Sequence, residues 1–202
     1  MTWSFNELYE ILCYLVADPA DKIFERDTKV AAFNEAQRLL CVSSYADYFY
    51  FLQKVAEVDR LDVIDIGGKD WARFLLPADV VKYYSFVVDG SYCEIYSIEE
   101  ARSKYDIFTT YNYGGFIKND HYLLVAPASA ATAKVYYLDY PTEWQFGVND
   151  DAEPDYPKML RFAVIYLAAS LLLKRVEKSP AVAENYKRVA DMICELWVRW
   201  FR

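Results

Sequence analysis

The feature that most constrains the fold of this chain is a change of hydrophobic period: helical at the N-terminus, strand-like through the middle, helical again at the end. Periods of 3.6 and of 2 place apolar side chains on different surfaces, so the chain must combine helices with strands around its core. Ser4 and Glu7 have the spacing of a capping box, and Phe5, Leu8, Leu12 and Leu15 then share one helical face before Asp18-Pro19 ends the run. A second helix is predicted from about Asp27, a suitable N-cap, through Val30, Phe33, Ala36 and Leu40. The next stretch is ambiguous. Residues 45–58 could continue as a helix, whereas 61–66 alternate apolar and acidic side chains like an edge strand, and Gly67-Gly68 breaks the chain.

From Trp71 the strand period takes over. Residues 72–76 read as a strand stopped by Pro77, and 82–88 and 91–97 as a hairpin around Asp89-Gly90, a type I′ signal. Ser97 and Glu100 form a second capping-box pattern, opening a short helix to near Tyr105. Residues 114–118 and 121–126, joined by Asn119-Asp120, predict another hairpin, and 133–140 a further strand. Between Lys134 and Lys158 there is no basic residue but six carboxylates and three prolines, which predicts an exposed connection. A helix from Lys158 to about Lys178 is apolar nearly all round over 162–173 and should be buried on most sides. Ser179-Pro180 then opens a last helix with a stripe through Val182, Tyr186, Val189, Ile193 and Trp200.

The expected fold is therefore α+β and mainly helical, with an N-terminal and a C-terminal helix pair forming a helical core and an antiparallel β region inserted between them. It is expected as a single domain over 1–202, comprising N-terminal helices (1–58), a β-rich insertion with a short helix (59–141), an acidic connection (142–157) and a C-terminal helix pair (158–202).

The composition narrows the function classes. A net charge of −8 argues against a nucleic-acid surface of the usual kind, which needs clustered Lys and Arg. The charge is uneven: 158–202 carries nine basic and four acidic side chains, against thirteen and twenty-six before it. No apolar run reaches the ~20 residues of a membrane span, and no signal peptide is visible, so a soluble protein with no membrane partner is expected. Cys13, Cys41, Cys93 and Cys194 form no CxxC pair and sit in apolar runs, as buried free thiols do. His121 is the single histidine, set in a predicted hairpin strand, and a structural or surface role is expected for it. The acids at 150–153 lack the glycine and spacing of a calcium loop, and neither glycine pair fits a phosphate loop. No catalytic, cofactor-binding or metal-binding residue is therefore expected, and the protein is read as non-enzymatic. Two rival classes stay open. One is a soluble α+β ligand-binding or regulatory module with a pocket in the β region. The other is a hydrolase-like enzyme, which would need His121 in a cleft beside a nucleophile.

Four spaced motifs remain. Asn34, Ala36 and Gln37 (N-x-A-Q) lie in the second helix, where Asn is a weak helix former and so implies a hydrogen bond or packing demand. Leu76, Pro77 and Asp79 (L-P-x-D) end a strand, with Asp79 expected to accept amides of the following turn. Tyr137 and Pro141 (Y-x-x-x-P) close the last strand, and Pro157 leads the helix containing Ala168-Ala169. In this order, over nearly the whole chain, the sequence resembles the head–tail connector or adaptor proteins of tailed bacteriophages. That resemblance implies a structural virion protein made in the bacterial host cytoplasm and located in the head–tail neck. Its subunits would form a ring, usually twelvefold, between the portal protein and the tail or further neck proteins. DNA would pass through the channel without specific binding. It brings no catalytic residue and no cofactor. The 45–69 segment and the helix near Ile98 depart from its pattern. The candidate interface is the C-terminal turn: Trp197, Arg199, Trp200, Phe201 and Arg202 combine aromatics with Arg, the types enriched at interface centres. On this expectation Val189 and Ile193 pack internally while the last turn reaches a neighbouring subunit or the portal. The alternative is that these aromatics close the subunit's own core.

Overall fold

A computed structural model describes residues 3–176 and 179–200. In chain order the elements are α1 (Phe5–Leu15), α2 (Arg26–Cys41), β1 (Gln53–Asp65), β2 (Asp70–Leu75), β3 (Val80–Val88), β4 (Ser91–Ile95), α3 (Ile98–Ser103), β5 (Tyr113–Lys118), β6 (Tyr122–Ala126), β7 (Thr132–Asp139), α4 (Lys158–Arg175) and α5 (Pro180–Trp200). They fall into two units. Met1–Leu52 joins Tyr140–Arg202 in a helical unit, and Gln53–Asp139 forms the other.

The second unit overturns the expected fold class. Its seven strands close into a barrel in the order β1-β2-β6-β5-β4-β3-β7, and with 28% strand against 41% helix the chain is not mainly helical with an inserted antiparallel region. The cause lies in the ambiguous stretch: residues 53–65 are one long strand that pairs with β2 at its C-terminal end and with β7 at its N-terminal end. A strand with two partners removes the sheet edges that an open insertion would leave. Nor is the region wholly antiparallel, because α3 lies in a crossover that returns β5 parallel to β4.

Both predicted hairpin turns form. Asp89 and Gly90 adopt φ of 46° and 84°, and Asn119 and Asp120 54° and 56°, the left-handed pairs a type I′ turn requires. Inward side chains including Phe74, Phe86, Val88, Leu123, Val125 and Val135 fill the barrel, so it is a packed core with no lumen. Gly115 belongs to β5 rather than to a turn: a Cβ there would sit 2.3 Å from the Leu124 carbonyl oxygen, so only glycine permits this approach of β5 to β6. Trp71, on the outer face, is buried with Phe116 and Ala101 under α3.

In the helical unit α1, α2 and α5 each pack on α4, whose Ala163, Ala168 and Ala169 are fully buried. The Ser4–Glu7 capping box forms as predicted. Ser97 caps α3, but Glu100 pairs with Lys104 instead of reaching back. Asp27 is not the N-cap of α2; that position is Glu25, with Asp27 in the first turn. The buried face of α5 is Ala183, Ala190, Cys194, Trp197 and Val198, rotated from the expected stripe because small residues let α5 approach α4 closely. The 142–157 connection has no helix or strand and is exposed over most of its length, as expected, but it is anchored at a few buried side chains. Trp144 is 1% exposed and stacks among Phe5, Tyr9 and Phe33. Asn34 explains its place in a helix here: its side chain donates to the Trp144 carbonyl and accepts from the Trp144 amide, both at 2.9 Å. Arg161, buried on α4, donates to the carbonyls of Trp3, Pro154 and Tyr156.

Candidate functional site

The barrel is sealed unevenly, and its weakest seam is a cleft. β3 and β4 pair only through Phe86–Cys93, Val87–Tyr92 and Val88–Ser91. Beyond Cys93, β4 follows β5 as far as Ile95 and the chain then leaves into α3. The N-terminal half of β3, residues 80–85, therefore pairs with β7 on one side and faces a gap on the other. Residues 116–118 of β5 likewise pair with β6 alone. Between these two edges lies a cleft of about 750 Å³, lined by 79–86, 92–95, Ile117, Asp120 and His121. Register shifts at Val81 and Tyr84 bulge β3 along this stretch, turning it away from the line of β4.

The opposite end of the β3–β4 hairpin is pinned. The Asp89 carboxylate accepts from the amides of Ala131 and Thr132, the Thr132 hydroxyl and the Tyr113 hydroxyl. Burial would raise the pKa of Asp89, but these donors outweigh it and hold the carboxyl below its usual range.

The cleft brings together groups that sequence reasoning had kept apart. His121 is exposed at its rim, with Asp79, Asp120, Ser85 and Cys93 among the other lining residues. Among the described residues, no hydrogen bond joins the imidazole to any of them. Burial, with the Glu94 carboxylate adding to it, pushes the Cys93 thiol up to about 12, so near neutral pH it is a thiol and not a nucleophilic thiolate. Among the described residues no amide of the following turn donates to Asp79; it takes a left-handed backbone (φ 55°) and lines the cleft, while Tyr83 donates to the Pro77 carbonyl at 2.7 Å. The hydroxyl of Tyr84, another lining residue, is buried without a hydrogen-bond partner. Nothing in a one-dimensional pattern marks this gap, because it arises from where β4 ends relative to strands distant in sequence. The expected strand over 91–97 ran two residues past the observed end of β4 at Ile95, so the sequence reading left no gap there.

The C-terminal turn of α5 divides. Trp197 is 8% exposed, donates its indole N–H to the Tyr48 carbonyl at 3.3 Å, and meets the Phe51 ring edge-on. Arg199 and Trp200 point outward, and Trp200 is 81% exposed. Phe201 and Arg202, the other two candidate interface residues, lie outside the described residues. Among the described residues no cluster of His, Cys, Asp and Glu could hold a metal ion, and no helix is long and apolar enough to cross a membrane. Compared with known proteins, the chain matches no family model and no curated sequence.

Proposed function

We propose that the protein is a non-enzymatic structural subunit of the neck of a tailed phage particle, assembling as a twelvefold ring between the portal and the tail. The observation that carries this reading is the outward pair at the end of α5. Trp200, 81% exposed, extends an exposed apolar stripe of α5 with Met192 and Leu196 at helical spacing, next to the exposed Arg199, and contiguous apolar surface with aromatic and Arg side chains is what anchors interfaces. Two of the motifs that carry the resemblance add support, since they fall at joints of the helical unit. Asn34 holds the backbone of Trp144, and Ala168 and Ala169 lie where α4 is fully buried. The acidic balance of the chain suits a channel wall along which DNA slides without adhering.

The test is the pair Arg199→Ser and Trp200→Ser, introduced into the phage that encodes the chain. The isolated variant should keep its stability within about 0.5 kcal/mol, as surface changes do. Particles should then lack the neck layer in cryo-electron microscopy and fail to join tails. Normal joining, or a wild-type neck with no density for this chain, would overturn the reading.

A further inference from the structure

We infer that the cleft in the barrel is a strand-accepting slot, which takes an extended, basic segment of a different protein. This goes beyond the connector reading and does not depend on it.

The backbone carries the argument. In an antiparallel pair, alternate residues turn their N–H and C=O groups away from the partner. Along 80–85, with the alternation interrupted at the bulges of Val81 and Tyr84, the backbone groups not paired with β7 face the gap, and along 116–118 the groups opposite β6 do the same. Among the described residues no backbone hydrogen bond reaches either edge across the gap. Two facing unpaired edges, with β4 ending between them at Ile95, leave the track of one missing strand. A strand laid there would run on along the line of β4, antiparallel to β3 and parallel to β5, and would satisfy both rows. The Tyr84 hydroxyl, buried and unpartnered, supplies one further polar group at the same place. Ile117 and Tyr83, half-buried against the barrel core, offer contacts for alternate apolar side chains.

The charge of the lining selects the occupant. Three carboxylates, Asp79, Glu94 and Asp120, line the cleft against one ammonium, Lys82, so the lining is net acidic and a strand bearing Lys or Arg between its apolar positions is complementary. A second copy of this chain does not offer such a strand. Among the described residues its strands are engaged in the barrel, and its longest stretch without helix or strand, 140–157, is pinned at Trp144 and carries five carboxylates and no Lys or Arg. The partner is thus a different polypeptide.

The experiment uses the full chain and an acetylated, amidated peptide alternating Lys and Val, six residues long to match the 80–85 edge. Binding is followed by amide NMR and hydrogen exchange. The peptide is expected to bind saturably and to protect amides within 80–85 and 116–118. A version N-methylated at alternate residues should bind about tenfold more weakly, the effect of losing one or two hydrogen bonds. A Glu/Val counterpart should also bind more weakly, and Asp79→Asn, Glu94→Gln and Asp120→Asn together should abolish the preference for the basic peptide without unfolding the barrel. The inference is overturned if no peptide binds saturably, or if N-methylation has no effect. It is also overturned if 80–85 is as protected as 86–88 in the dilute free protein. Protection that rises with protein concentration alone would assign the slot to a second copy and overturn the basic partner.

Discussion

The helical unit and the barrel solve the same problem by different means. In the helical unit the irregular backbone is held by side chains reaching far along the sequence, such as Asn34 to Trp144 and Arg161 to Trp3. Its extreme case is Lys29, fully buried, whose ammonium lies 2.6 Å from Asp21 and 3.1 Å from Asp18 and donates to the Asp18 carbonyl. Asp18 in turn accepts the amides of Lys22, Ile23 and Phe24, so one buried cation fixes the whole loop between α1 and α2. In the barrel the backbone holds itself through its ladders, and side chains intervene chiefly at the ends, as Asp89 does. The difference teaches where each unit is vulnerable. Deleting one side chain undoes a loop in the first, whereas in the second a ladder tolerates side-chain loss but shows any missing strand as an open edge.

The sharpest way to break that comparison is Lys29→Met. It leaves the Asp18 carboxylate buried without its cation, and a loss of about 3–5 kcal/mol is expected in urea unfolding. The same cluster sets a pH window. Burial opposes ionisation of Asp18, but the Phe24 amide, Lys29 and the other amides overcome it and hold the carboxyl at about 2 against an ordinary 3.8. Its contribution is therefore complete above about pH 4 and is lost as pH falls toward 2. Lys29, lowered by burial but raised more by Asp21 and Asp18, stands above its ordinary 10.5. Its contribution is complete below that value and is lost as the pH climbs past it. Lys29→Met should flatten the acid limb of the stability profile, and an unchanged limb would show that Asp18 is held by its amides alone.

A smaller effect, about 2–3 kcal/mol, is expected for Asn34→Ala, which strands the buried amide and carbonyl of Trp144. Trp144 fluorescence should shift red as the indole gains water. If stability and emission both hold, the connection is anchored by aromatic packing and not by the clamp. The smallest, about 1–2 kcal/mol, is expected for Asp89→Ala in the barrel, because the ladder persists when its end clamp goes. Faster hydrogen exchange should be confined to 86–88 and 131–133. A loss as large as that of Lys29→Met would erase the distinction between the two units.

Local order was legible in the sequence because its causes are local. The Ser4–Glu7 box, the left-handed turns at Asp89-Gly90 and Asn119-Asp120, and the proline opening α5 each act within four residues. Asn34 was legible in a weaker sense: an Asn inside a helix announced a hydrogen bond but not its partner, which lies 110 positions away. The connection at 142–157 is exposed over most of its length, as its dense acids suggested, but the anchor that fixes it was not legible: it depends on one tryptophan finding a ring of aromatics supplied by α1 and α2.

β1 marks where sequence reasoning stopped. Val55, Leu61 and Val63 are exposed while 56, 58, 62 and 64 are half-buried, and interspersed charges blur the period that would have identified a strand. By itself the sequence determined the helices, the hairpins and their turns, the burial of α4 and the acidic balance of the chain. Only the tertiary structure decided that the strands close into a barrel, that β4 and β5 run parallel, and that β3 is left with an open edge. Those outcomes depend on pairings between β1 and β7 and across the α3 crossover, and the free energy of such pairings lies in which distant edges meet, a quantity no local pattern encodes.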